Sequence, residues 1–158
     1  MDTGLMVCDA MTRKPITVHP DTEVLECARL MKEHKIGSIV ISDSEEVKGI
    51  VTEHDLVRKC LAEQRDPAKL KALEAGTENV VTISPEVDVF EAVMLMQDYD
   101  IRHLPVTDDG KMVGFITIKD ILRVQPQLFE LLADKIEIRE HSRKLQQQIR
   151  ESMEDNAL

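Results

Sequence analysis

Gly49-Ile50-Val51-Thr52-Glu53-His54-Asp55 recurs 65 residues later as Gly114-Phe115-Ile116-Thr117-Ile118-Lys119-Asp120. Extended outward from that stretch, Pro15 to Arg58 lies over Val80 to Arg123 without a gap. Thr17 falls on Thr82, Pro20 on Pro85, Glu26 on Glu91, Met31 on Met96, Ile36 on Ile101 and Asp43 on Asp108. The chain is a duplicated unit. A unit of that size is small for an independent core, so two copies are expected to pack face to face about a pseudo-twofold axis and to build their site where they meet.

Each copy reads as strand, helix, strand, strand, helix, which makes the fold class α/β. In the first, Ile16-Thr17-Val18 is β-rich, and Val24, Leu25, Ala28 and Met31 recur at helical spacing, with Gly37 just past the expected helix end. Ser38 to Ile41 and Lys48 to Val51 follow as strands, and Thr52 opens the closing helix. The second copy repeats this with Val80 to Ile83, then Val89 to Met96, Leu104 to Val106 and Met112 to Ile116. Its turn at Asp108-Asp109-Gly110-Lys111 is the stronger hairpin signal. Pro105, with no N–H to give, implies that its strand lies at an edge or begins near that residue. The expected organisation is a first repeat over 1–66, a connecting helix over 67–76, a second repeat over 77–125 and a long C-terminal helix over 126–158. Leu131, Ile138 and Leu145 lie seven apart on that last segment, a stripe suited to packing or self-association.

The chemistry concentrates in the repeated heptapeptide. Each glycine sits near a strand end, where a missing side chain lets another group approach the backbone. Each Thr and Asp, three apart at a helix start, can form a capping box and nothing more. Repeated beside a glycine and a basic or titratable neighbour, His54 or Lys119, they also suit a nucleoside phosphate. Helix N–H groups and Thr52 or Thr117 would take the phosphate, while Asp55 and Asp120 would accept from sugar hydroxyls.

This pattern resembles a tandem pair of cystathionine β-synthase (CBS) domains, a Bateman module. The resemblance spans about Val7 to Arg123, and G-h-x-[T/S]-x-x-[D/N] is matched by both copies. Val7-Cys8-Asp9-Ala10-Met11-Thr12 and Ile101-Arg102-His103-Leu104-Pro105-Val106 agree with it as well. The resemblance implies a regulatory module binding AMP, ADP or ATP, with or without Mg2+, in the cleft between the repeats. Asp55 and Asp120 would hold ribose. Thr52, Thr117, His54, Lys119, Arg102 and His103 would approach phosphate or ribose, and Pro15-Ile16-Thr17 and Val80-Val81-Thr82 would contact adenine. It further implies a homodimer that signals to a separate effector protein. The first copy has Gly37-Ser38 where the second has Arg102-His103, and the second opens with Glu74-Ala75-Gly76-Thr77 in place of the usual apolar-Asp-Ile-Met-Thr, so unequal sites are expected.

Composition narrows the alternatives. A formal charge of −10 argues against a nucleic-acid partner. Apolar residues at 42% with aromatics at 3% require an aliphatic core. Cys8, Cys27 and Cys60 show no metal-ligand spacing and read as buried thiols in a reducing compartment. No apolar run approaches the roughly 18 residues of a membrane span and the N-terminus lacks a signal-peptide pattern, so a soluble cytoplasmic protein is expected. Without a nucleophile elbow, a Walker loop or a metal triad, the expectation is a protein that is not an enzyme and holds no metal of its own. The competing readings are a structural dimerisation module with empty clefts, or a sensor of S-adenosylmethionine or NADH.

Overall fold

A computed structural model of the chain describes residues 2–130 together with positions 133, 144, 147, 148 and 150. The stripe Leu131, Ile138 and Leu145, and the long C-terminal helix it belongs to, lie outside the described residues. The chain divides into a larger unit, Met1–Asp120, and a second, Ile121–Leu158.

The elements in order are α1 (Val7–Ala10), β1 (Thr12–Arg13), β2 (Thr17–Val18), α2 (Val24–His34), β3 (Ser38–Asp43) and β4 (Glu46–Thr52). Next comes α3, which starts as an α-helix over Glu53–Asp55 and continues as a π-helix over Leu56–Leu61. Then follow α4 (Ala72–Ala75), β5 (Thr77–Glu78), α5 (Val89–Asp98), β6 (His103–Asp108), β7 (Lys111–Thr117) and α6 (Ile118–Val124).

The strands form two sheets, ordered β2-β3-β4-β5 and β1-β7-β6. The duplication reaches the backbone dihedrals. Lys14 and Asn79 both have positive φ, as do Lys35 and Asp100, Ser44 and Asp109, and Glu45 and Gly110. Two consecutive left-handed residues in each hairpin match the strand twist, so the Ser44-Glu45 turn has the same form as Asp109-Gly110 despite its weaker sequence signal. The left-handed residue closing α2 is Lys35, at φ 53°, not the expected Gly37.

The leading segments are exchanged between the copies. β1, which precedes the first copy, pairs with β7 of the second through Arg13 opposite Gly114, and β5, which precedes the second copy, pairs with β4 of the first through Glu78 opposite Gly49. Around α1 the same exchange continues, with the Val7 N–H donating to the Val87 carbonyl (2.8 Å) and Val89 N–H to that of Leu5 (2.9 Å). The connection expected to be helical over 67–76 is helical only at Ala72–Ala75. Its carbonyls serve another helix: Val24 N–H donates to Leu70 O and Leu25 N–H to Pro67 O, both at 2.9 Å, which satisfies the free N-terminus of α2.

β6 is an edge strand and begins at His103, two residues ahead of Pro105. The first strand of the second copy, expected over Val80–Ile83, is reduced to one bridge between Ile83 and Val106. Ile83 N–H donates to Pro105 O and Thr107 N–H to Ile83 O, but the next rung needs an N–H at position 105, where proline has none.

The first sheet is buried on both faces. Ile39, Ile41 and Val51 pack with Val24, Cys27, Met31, Cys60 and Leu70 beneath the helices. Val40 and Ile50 face the other way, against Phe115 of the second sheet, with Val47, Val80 and Met112 around them. This apolar contact holds the copies face to face. At its hairpin end the Met112 N–H donates to Glu45 O (2.9 Å), and the Lys111 ammonium lies 3.5 Å from the Glu45 carboxylate.

Candidate functional site

The repeated heptapeptide runs off the end of a central strand into a helix in both copies, and the two turns are built alike. Thr52 N–H and Oγ1–H donate to Asp55 Oδ2 at 2.9 and 3.0 Å, and Asp55 N–H donates back to Thr52 Oγ1 at 3.2 Å. In the second copy Thr117 N–H and Oγ1–H donate to Asp120 Oδ2 at 2.9 and 2.8 Å, and Asp120 N–H returns to Thr117 Oγ1 at 3.3 Å. The capping box is thus present twice, and it fixes the direction of each carboxylate.

The glycine of each motif has a different task from the one its ligand-like surroundings suggest. A Cβ on Gly49 would stand 2.6 Å from the carbonyl oxygen of Thr77, and one on Gly114 would collide with Met11 Sδ and lie 3.0 Å from Thr12 O. The close neighbour is the crossing backbone of a leading segment. Those segments are capped alike, with Asp9 accepting from Met6 N–H and Glu74 from Lys71 N–H, each at 3.0 Å. The unusual Glu74-Ala75-Gly76 sequence therefore keeps the local geometry.

The carboxylates differ in their free capacity. An ionised carboxylate offers about four acceptor sites. Lys59, one helical turn on, places its ammonium 3.2 Å from Asp55 Oδ1 and also donates to the carbonyls of Ala75 (2.8 Å) and Gly76 (3.2 Å). Asp55 thus has three sites taken and one open. The position matching Lys59 is Val124, and Asp120 Oδ1 has no partner among the described residues. Lys59 escaped the sequence reading, although its i,i+4 spacing from an acidic residue was the available signal.

Arg102 and Lys119 are exposed, and neither side chain has a hydrogen-bond or ion-pair partner among the described residues. His54 is exposed as well. His103 is half-buried and stacked on Phe115 at 5.9 Å between ring centroids. Burial pushes its imidazole below the ordinary value, and the Asp55 carboxylate pulls it partly back up. A second-copy histidine therefore senses the first-copy carboxylate, and it is neutral at pH 7.

Of the leading segments, Pro15, Ile16, Val80 and Val81 are half-buried while Thr17 and Thr82 are exposed. Ile16 packs under the first helices, whereas Val80 packs on the cluster between the sheets. Val80 and Thr82 also line a cavity of about 520 Å³ with Val47, Lys48, Leu73, Glu78 and Asn79. None of the motif Thr or Asp residues lines it. Among the described residues no group of His, Cys, Asp and Glu could hold a metal ion, and no helix is long and apolar enough to cross a membrane. The three cysteines are free thiols; Cys27 and Cys60 are buried as expected, but Cys8 is only half-buried, and burial pushes Cys27 up to about 11.

The sequence profile of the CBS domain matches residues 7–62 and 72–126. An uncharacterized protein of Methanopyrus kandleri is 38% identical over 135 residues, covering 84% of this chain and 69% of its own. A CBS domain-containing protein of Bacillus subtilis is 31% identical over 115 residues, covering 73% and 81%. Among solved structures, the CBS domain pair of protein MJ0100, in complex with 5′-methylthioadenosine and S-adenosyl-L-methionine, superposes with a TM-score of 0.69 at 31% identity, covering 78% of this chain and 97% of that one.

Proposed function

Since the chain belongs to the CBS-domain family and carries two of its domains as a regulatory, ligand-binding pair, we propose that it senses an adenosine compound without transforming it. The proposed ligand is an adenine nucleotide, AMP, ADP or ATP. The observation that carries this reading is the second motif: a carboxylate fixed by Thr117 with one oxygen open, beside the unpartnered cations Arg102 and Lys119. In the proposed pose the ribose hydroxyls donate to Asp120, the phosphate meets Thr117, Lys119 and Arg102, and the base lies toward Val80-Val81-Thr82. Neutral His103 can share a hydrogen bond there but adds no charge at pH 7. The first motif, with Thr52, His54, Asp55 and Pro15-Ile16-Thr17, forms the second, weaker site. We place the protein in the cytoplasm as a homodimer that passes its state to a separate effector.

The ligands of protein MJ0100 favour a second reading, an adenosine compound without phosphate. Melting the protein with AMP, ADP, ATP, S-adenosylmethionine and NADH, each with and without Mg2+, separates the two. A ligand at 100 times its dissociation constant stabilises by about 2.7 kcal/mol, a shift of several degrees. No shift with any adenosine compound overturns the proposal. So does turnover of a nucleotide that survives repurification and vanishes in Asp55→Ala or Asp120→Ala.

A further inference from the structure

The two motif turns share one backbone and carry opposite charge. In the first copy Glu53 N–H donates to Gly37 O (3.0 Å), and in the second Ile118 N–H donates to Arg102 O (2.9 Å), so residue 37 faces 53 as 102 faces 118. The Glu53 carboxylate occupies the space that glycine leaves. A Cβ on Gly37 would stand 3.1 Å from Glu53 Oε1 and 3.2 Å from its Cδ. An anion thus lies against the position from which Arg102 extends in the other copy.

Around the first turn stand Gly37, Glu53, His54 and Asp55, and around the second Arg102, Ile118, Lys119 and Asp120, a formal −2 against +1 counted over the acids, lysine and arginine. Lys59 compensates Asp55. Glu53 has no ion-pair or hydrogen-bonding side-chain partner among the described residues. Neutral His103 does not offset it, and Arg13, ahead of Pro15, turns its guanidinium back onto the Cys8 carbonyl at 3.3 Å.

We propose that Glu53 is a specificity-determining residue of the first site, making it reject a phosphate and select an adenosine compound with a positive charge at its 5′ end. This rests on both motifs binding adenosine compounds. Asp55 and Thr52 hold the ribose, as their counterparts do in the second site, and the 5′ substituent then points toward the N-terminus of α3. There a phosphate meets the Glu53 carboxylate, whereas an ammonium or sulfonium group forms an ion pair with it. The two halves of one duplicated module thereby read two classes of adenosine compound through the same backbone.

The test uses full-length protein carrying Asp120→Ala, which leaves the first site, titrated by calorimetry with adenosine, AMP and 5′-amino-5′-deoxyadenosine. The expected order is the amine tightest and AMP weakest, each step about five- to tenfold for unit charges a few ångströms apart near water. Glu53→Gln in the same background should draw the three affinities together, and Glu53→Lys should put AMP first. Glu53 is exposed, so both variants are expected to melt with the parent. The inference is overturned if adenosine binds but the order of the charged ligands does not follow position 53. If adenosine binds the wild type but not the Asp120→Ala protein, the first site holds no adenosine compound and the inference is likewise overturned. If neither adenosine nor AMP binds the wild type, the nucleotide-sensor reading falls instead, so titration of the wild type distinguishes the two failures.

Discussion

Arg102→Ala should weaken AMP about tenfold and leave adenosine where it was. The arginine is exposed and has no side-chain partner among the described residues, so its loss should change stability by less than about 0.5 kcal/mol. Any change in binding then belongs to the ligand. A hydrogen bond to a charged group contributes about 1.5 to 3 kcal/mol, and water around an exposed guanidinium places this one at the low end. About 1.5 kcal/mol corresponds to roughly a tenfold change in dissociation constant. Adenosine offers Arg102 no anion and should lose nothing. Paired calorimetric titrations of AMP and adenosine on wild type and variant provide the measurement, with melting curves to confirm equal stability. Asp120→Ala should abolish the tighter phase of the AMP titration, and Asp55→Ala should spare it. Equal weakening of both ligands by Arg102→Ala, or equal losses from the two Asp variants, would refute the assignment of phosphate to the second motif.

Lys59→Met removes the donor shared by Asp55, Ala75 and Gly76 and should cost about 1 to 2 kcal/mol, lowering Tm by roughly 2 to 8 °C; an unchanged melting curve would show that the contact is idle. Gly49→Ala places a methyl group 2.6 Å from the Thr77 carbonyl oxygen, so β5 must move away from β4, and a loss of about 1 to 3 kcal/mol in urea unfolding is expected. Burial acts to raise Asp88, but hydrogen bonds donated by Phe90 N–H and by the Thr3 N–H and Oγ1–H outweigh it and hold the carboxyl at about 2, below its ordinary 3.8. The stabilisation is therefore complete above about pH 4 and lost as pH falls toward 2, and Asp88→Asn should flatten that part of the stability profile. Sedimentation at tens of micromolar should show a dimer, and truncation after Gln125 asks whether the C-terminal segment contributes; a monomeric full-length protein would exclude the homodimer.

The duplication was legible because the motif, the hairpins and the apolar strands all repeat in sequence at one offset. The exchange of leading segments was not, since a two-residue strand such as Thr12–Arg13 or Thr77–Glu78 carries no periodicity of its own and is defined only by the strand across from it. That exchange also reassigns the motif glycine. In sequence Gly49 and Gly114 look like openings for a ligand, yet in the fold each clears the way for a crossing backbone, so the glycines maintain the contact between copies rather than the ligand site. Candidate ligand chemistry is left to Thr52, Asp55, Thr117 and Asp120 and to whatever surrounds them. There the sequence reading found the missing cation at Gly37, opposite Arg102, but could not find the anion. Glu53 occupies a variable position of the motif, and only the space over Gly37 shows where its carboxylate goes. An absent side chain on one strand and a charged one on the next helix are thus a single feature. The same pairing in the second copy, Arg102 with Ile118, leaves the opposite charge on the same backbone. A duplicated unit can diverge in ligand selectivity by exchanging such a pair while the capping box that aims its carboxylates stays fixed.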